Sequence, residues 1–290
     1  MHDKLIVQPG KDFKFEDHDP AFTAAFKAEE EASEKLAHDL KHMTRLQDLL
    51  YAEKRHALLI ILQAMDAAGK DGTIKHVMSG VNPQGCSVKS FKVPSSEELQ
   101  HDYLWRAVKA LPERGFIGIF NRSYYEELIV VRVHPELLRA EHVPAADKDE
   151  SIWKTRYQEI NSFEKYLVDN GTVILKFFLN LSKQEQRKRL LSRLETPAKN
   201  WKFSASDLKE RAFWDDYIQA YEKMLGHTST EWAPWYIIPA DHKWFSRVAV
   251  ADAIVDKLAS LNLAYPELTT EDEVELHKAK IALESEDSNK

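Results

Sequence analysis

Apolar runs and helical stripes alternate along the middle of this chain. Residues 57-ALLIILQ-63 are apolar at consecutive positions, the pattern of a strand covered on both faces. Similar runs at 116-FIGIF-120, 172-TVILKFFLNL-181 and 235-WYIIP-239 predict three more strands, and 86-CSVKSFKV-93 a shorter one. Between them the spacing predicts helices: one from the loop at 64–70 to about Gly80, one from the Ser95–Glu98 capping box to about Leu111, and one beginning within 121–136. Others are predicted at 151–169, from the Ser182–Glu185 capping box, at 208–225 and at 243–262. Asp19-Pro20 reads as an N-cap and first position, opening a long helix to about Arg55 with Leu36, Leu40, Met43 and Leu50 on one stripe. Residues 1–18 read as polar and irregular, 196–207 as a loop, and the tail from Pro266 as acidic, with 284–290 disordered.

Strand–helix alternation predicts an α/β fold with a parallel sheet of about five strands and helices on both faces. The expected layout is an N-terminal extension and long helix (1–55), one α/β domain (56–265) and an acidic tail (266–290). At 43% hydrophobic residues the chain can fill such a core. No apolar run reaches a membrane span, and the N-terminus lacks a secretory signal pattern, so a soluble cytoplasmic protein with no membrane partner is expected. One cysteine, Cys86, allows no intrachain disulfide and is expected to be buried and inert.

The net charge of −7 argues against general nucleic-acid binding. It is unevenly spread: residues 183–202 hold seven basic and two acidic side chains, a block of +5 that leaves −12 for the rest. Such a block is either a solvated helix face or a site for a confined anionic ligand.

The loop 64-AMDAAGK-70 sits between a strand and a helix start, where backbone N–H groups and the helix dipole attract phosphate. It is a degenerate phosphate loop, with Ala64 for the first glycine and Asp71 for the usual Ser or Thr. Its cradle would be Ala67, Ala68, Gly69, Lys70, Asp71 and Gly72, with Lys75 one turn on. A carboxylate beside phosphate is favourable when Mg2+ lies between them, so Asp66, and Asp71 after it, are candidates to hold metal. Asp71 capping the helix is the alternative. At the end of the 116–120 strand, Asn121, Arg122 and Glu126 would meet this loop if the two strands are neighbours. Arg122 would neutralise a transferring phosphoryl group, and Asn121 and Glu126 would offer oxygens to Mg2+. The bland reading is a helix cap and surface charges.

Other features weigh less. His38 and His42 lie one turn apart without a third ligand, so a solvated helix face is expected. Trp232, Trp235 and Trp244 read as core rather than base-stacking residues. His134 is either a phosphate contact or a structural histidine. Lys243 and Arg247 follow a strand end and could reach a nucleotide.

Five segments taken in order, QAMDAAGKDGTIKHV, FNRSYYEELIVVRVH, KFFLNLSKQEQRKRLLSRL, NWKFSASDLKERAFWDDY and APWYIIPADHKW, resemble the family-2 polyphosphate kinases over roughly residues 40–262. The resemblance implies a three-layer P-loop kinase fold like that of thymidylate kinase, with a helical lid at about 182–212. It implies Mg2+-dependent phosphoryl transfer (Mn2+ as an alternative) from inorganic polyphosphate to a nucleotide, and a homo-oligomer, dimer or tetramer. Asp66, Lys70, Arg122 and Glu126 would form the catalytic set. Arg132, Arg187, Arg193 and Lys202 would join the phosphate contacts, and Asn121, Arg122, Glu126 and Arg132 the nucleotide contacts. The F-N-R-S-x-Y-E version of the second motif resembles the subgroup that phosphorylates both nucleoside mono- and diphosphates. Against this stand an ATP-dependent nucleoside monophosphate kinase and a catalytically silent polyphosphate-binding module.

Overall fold

The computed structural model describes residues 2–140 and 151–287. Five parallel strands form one sheet: β1 (Ala57–Ala64), β2 (Cys86–Ser90), β3 (Ile117–Asn121), β4 (Thr172–Asn180) and β5 (Trp235–Pro239), in the order β2-β3-β1-β4-β5. The helices, in chain order, are α1 (Glu29–Glu53), α2 (Lys70–Val77), α3 (Trp105–Val108), α4 (Glu126–Val133), α5 (Glu136–Ala140), α6 (Ser151–Asp169), α7 (Lys183–Glu195), α8 (Ala205–Ala212), α9 (Trp214–Thr228), α10 (Lys243–Ala259) and α11 (Thr270–Asp287).

Side chains alternate across the sheet, so each central strand feeds two cores. Leu58, Ile60, Leu62, Leu175, Phe177 and Ile238 pack with α1, α2 and α10. Leu59, Ile61, Phe120, Ile174, Phe178 and Ile237 pack with α4, α6 and α9 on the other face. This double burial is why β1 reads as unbroken apolar sequence. On one face α1 is fastened to α10 by Lys35, which bonds the buried Asp39 at 2.5 Å and Asp252 at 2.5 Å.

Three sequence expectations are corrected, and one is refined. The long helix begins at Glu29, because Asp19 instead accepts a hydrogen bond from its own Ala21 N–H at 2.9 Å and makes a turn. Residues 94–111 are not one helix: a turn at Glu98–Gln100 stops, and Asp102 accepts from Leu104 N at 2.9 Å just before α3. The N-terminal segment is irregular as expected, yet packed: Leu5, Val7 and Phe13 are buried and Val7 N bonds Trp235 O at 2.8 Å along the outer edge of β5. The tail is helical through Asp287; the remainder of the segment expected to be disordered, 288–290, lies outside the described residues.

All carboxyl ends of the strands point to one side. There β1 leads through α2 toward β2, while β3 leads through α4 and α6 toward β4 on the opposite face. The chain thus parts between β1 and β3, which makes that gap the natural ligand crevice of an open parallel sheet. No described helix is long and apolar enough to cross a membrane.

Candidate active site

The β1–α2 loop turns sharply after Ala64. Ala67 (φ 63°) and Gly69 (φ 109°) both lie in the left-handed region. For Gly69 that is ordinary; for Ala67 it costs energy, and such residues gather where a loop must present its backbone to a ligand. An added Cβ at Gly69 would meet only Arg189, at 3.8 Å, so glycine is required there by backbone angle rather than by space. Lys70, the first residue of α2, folds back and donates to Ala64 O at 2.8 Å. Burial lowers its pKa from 10.5 to about 8, Arg122 adds to the effect, and Asp66, Glu126 and Asp71 oppose it.

β3 pairs with β1, so the two motifs do meet. Arg122 N bonds Leu62 O at 3.0 Å, and its φ of 62° turns the side chain back over the loop. Its guanidinium donates to Asp66 Oδ1 at 2.7 Å and to Glu126 Oε2 at 3.1 Å. Glu126, ahead of Asp66, holds the Arg122 pKa above its ordinary value against the effect of burial. Asn121 Nδ2 donates to Asp71 Oδ1 at 2.7 Å. The helix-capping alternative for Asp71 does not hold, because Gly69 is the N-cap of α2 and no side chain caps it.

α7 comes over this centre from the far side. Gln186 donates to Asp66 O at 3.0 Å. The buried Arg189 joins three pieces of chain: it donates to Ala68 O at 2.7 Å, to Ala240 O at 2.6 Å and to Glu185 Oε1 at 2.9 Å. Sequence reading counted Arg189 only as part of the basic block. Glu185 four residues earlier was the available sign that this arginine is tied down. Arg193 binds Asp207 of α8 at 3.1 Å, and Arg211 of α8 donates to Gln186 at 2.5 Å, so α7 and α8 are stitched together over the loop.

A cleft of about 930 Å³ opens from these residues. Asp66, Ala67, Ala68, Gly69, Lys70, Asp71, Gly72, Asn121, Arg122, Glu126 and Arg193 all line it. Lys92, Arg106, Lys199, Lys243 and Arg247 also reach it, while Phe91, Val93, Pro94, Leu99, Val130 and Leu137 give it an apolar wall. Burial lowers the pKa of Lys243, and the nearby Arg189 and Lys199 lower it further, so an anion here would relieve cation repulsion.

Several predicted contacts lie elsewhere. Arg132 donates to Tyr157 Oη at 3.0 Å and stacks on Trp153, away from the cleft lining. Lys75 and Arg187 are exposed outside it. The Lys202 side chain lies outside the described residues. His134 bonds Glu210 at 2.9 Å rather than facing the cleft. Trp235 is fully buried core. Cys86 is half-buried rather than fully buried as expected, and desolvation still pushes its thiol up to about 11.

Comparison with known proteins decides the family. The family model described as polyphosphate kinase 2 matches residues 26–265. The chain belongs to the polyphosphate kinase 2 family. An ADP-polyphosphate phosphotransferase of Rhodopseudomonas palustris is 56% identical over 245 residues, covering 84% of this chain and 85% of that one. An AMP/ADP-polyphosphate phosphotransferase of Meiothermus ruber is 47% identical over 271 residues, covering 93% and 97%. The crystal structure of polyphosphate kinase 2 from Arthrobacter aurescens TC1 superposes with a TM-score of 0.86 at 40% identity, covering 95% of each chain. In this polyphosphate kinase the matched region holds the whole cleft and all five strands.

Proposed function

We propose that this kinase transfers a phosphoryl group from inorganic polyphosphate to AMP and to ADP, giving the nucleoside di- and triphosphate. The observation that carries the reading is the Arg122 fork between Asp66 and Glu126, set against the Lys70 loop in a cleft rimmed by cations. Two polyanions must be brought together there, and neutralising their charge is the main catalytic task. A terminal phosphate oxygen of the acceptor is itself largely ionised at neutral pH, since its second pKa is about 6, so no strong general base is needed. The Meiothermus ruber relative is named for both AMP and ADP, and the F-N-R-S-x-Y-E sequence supports the same range here.

Lys70 and Arg122 neutralise the transferred group. The loop N–H groups of Ala67, Ala68 and Gly69 cradle phosphate. Arg193 and Lys199 on the α7 side, with Lys243 and Arg247 on α10, form a cationic track for the polyphosphate chain. Segment 182–212 acts as the lid.

The donor set fits Mg2+, with Mn2+ as an alternative. Among the described residues no group of three or more His, Cys, Asp or Glu is placed to hold a metal alone. Asp66 and Glu126 each give one oxygen to Arg122 and keep a second for a hard cation. Mg2+ is ordinarily bound by one or two carboxylates plus substrate phosphates, which suits this arrangement. Asp66 and Glu126 would hold it, with the Asn121 side-chain oxygen as a further donor, and it would supply positive charge to screen the phosphates.

The test is a timed nucleotide assay with purified protein, Mg2+, long-chain polyphosphate and AMP, with no ATP added. ADP appearing first and ATP second is the expected result. AMP left untouched while ADP becomes ATP would restrict the acceptor to diphosphates. No product with either nucleotide would overturn the proposal.

A further inference from the structure

Lys176 stands in the middle of β4 with no exposed surface, and Glu164 of α6 is equally sealed. Lys176 Nζ donates to Glu164 Oε2 at 2.6 Å, to Tyr125 Oη at 2.9 Å and to Thr228 O at 2.7 Å. The other carboxylate oxygen of Glu164 accepts from both Tyr124 Oη, at 2.8 Å, and Tyr125 Oη, at 2.7 Å. Every hydrogen of the ammonium group therefore has a partner, and so do both carboxylate oxygens.

A buried ion pair is a poor way to gain stability, because removing two charges from water costs about as much as their attraction returns. What such a network fixes well is geometry. Its two tyrosines are two of the three residues between Arg122 and Glu126 in the chain. The same turn is tied at a second point, where Gln63 Nε2 of β1 donates to Ser123 Oγ at 3.2 Å. Arg122 is held at a φ of 62°, a conformation an arginine leaves unless its surroundings oppose it.

We propose that the Lys176–Glu164 pair is a positioning device for phosphoryl transfer: through the hydroxyls of Tyr124 and Tyr125 it sets where Arg122 and Glu126 stand. The proposal rests on the reading that Arg122 and Glu126 meet the reacting phosphates. Tyr125, Glu164 and Lys176 lie outside the cleft lining, and Tyr124 borders the cleft while its hydroxyl is turned to Glu164; the network acts through the turn it holds. A misplacement of about 1 Å in a charge-neutralising group costs up to about 10²-fold in rate, so small slack here reaches the chemistry.

The test uses hydroxyl deletions that keep the ring and its packing. In a steady-state assay with polyphosphate and ADP, Tyr125→Phe, and more so the Tyr124→Phe/Tyr125→Phe double variant, is expected to lower kcat about 10-fold or more. KM for both substrates should stay within about twofold, because the cationic track is untouched. Ile254→Val, in the core on the other face of the sheet, serves as a comparator for loss of stability alone and should keep its kcat. Lys176→Met strands a buried charge. Lys176→Met/Glu164→Gln, uncharged but still offering the tyrosines an acceptor, is expected to regain turnover. If the double tyrosine variant keeps kcat within about twofold of the parent, or loses no more than Ile254→Val, the positioning role is wrong. Arg122→Gln in the same assay separates the two layers. If it keeps full turnover, the reading of Arg122 falls and the positioning role falls with it. If it is inactive while the tyrosine variants are normal, only the positioning role falls.

Discussion

Lys70 is a cation in a place that disfavours cations. Burial and the neighbouring Arg122 lower its pKa to about 8, so part of its charge is lost just above neutral pH. A bound polyanion would restore the charge. The expected result is an alkaline limb near pH 8 in kcat/KM for polyphosphate, which reports the free enzyme, and a limb at higher pH in kcat. Lys70→Arg should abolish the limb near pH 8. Stability should move the other way: between about 8 and 10.5 the unfolded chain holds the proton that the folded chain has released, so this residue favours folding more as pH rises. Unfolding in urea at pH 7.5 and 9.5 would show whether that sign is right. Arg122 carries a second expectation. Arg122→Gln removes the charge between Asp66 and Glu126 and should lower kcat by about 10²-fold or more with the fold intact, as measured by turnover and circular dichroism. Both residues stood out in the sequence by motif and by strand-end position. The carboxylates around them were named as well, but the pairings were not legible, because Asn121 finds Asp71 across 50 residues and Arg122 finds Asp66 across 56.

At the scale of elements, what was legible depended on how local the deciding force is. The strand at 235–239 was read at its observed bounds, since apolar residues on both faces need no partner to declare themselves. The start of α1 was misread because Asp-Pro suits a turn as well as a helix cap, and only packing against α10 decides where regular helix begins. The basic block was read as either a solvated face or an anion site, and it divides between the two. Arg193 and Lys199 line the cleft, Arg187 and Lys188 face solvent, and Arg189 is spent on backbone carbonyls. Arg189→Gln would leave those carbonyls unpaired and should cost roughly 2–4 kcal/mol of stability, read as a lower thermal midpoint. Asp207→Ala would free Arg193 from α8. It should loosen the α7–α8 cover and raise KM for polyphosphate several-fold while kcat changes less, which initial rates at varied polyphosphate would show.

The whole molecule sets an acidic body against a cationic cleft. Its polymeric substrate carries condensed counterions much as a nucleic-acid backbone does, so log KM for long polyphosphate should rise with log salt much more steeply than log KM for ADP. A salt titration from 50 to 300 mM with each substrate limiting would test this, and equal slopes would deny the track. The same scale shows how the sheet is finished. β5 is covered on its outer side by residues near the start of the chain, with Val7 O accepting from Ser229 Oγ across 222 positions. That contact has an order in time. Residues 5–13 have no place to dock until β5, the last described strand in chain order, has been made, and loops this long close late. Until then β4 presents a bare parallel edge beside an undocked segment, the kind of exposed pairing surface that draws other chains. Protease cleavage near residues 5–13 should therefore persist through most of refolding and cease only with the final phase, making this segment the last part of the described fold to become native.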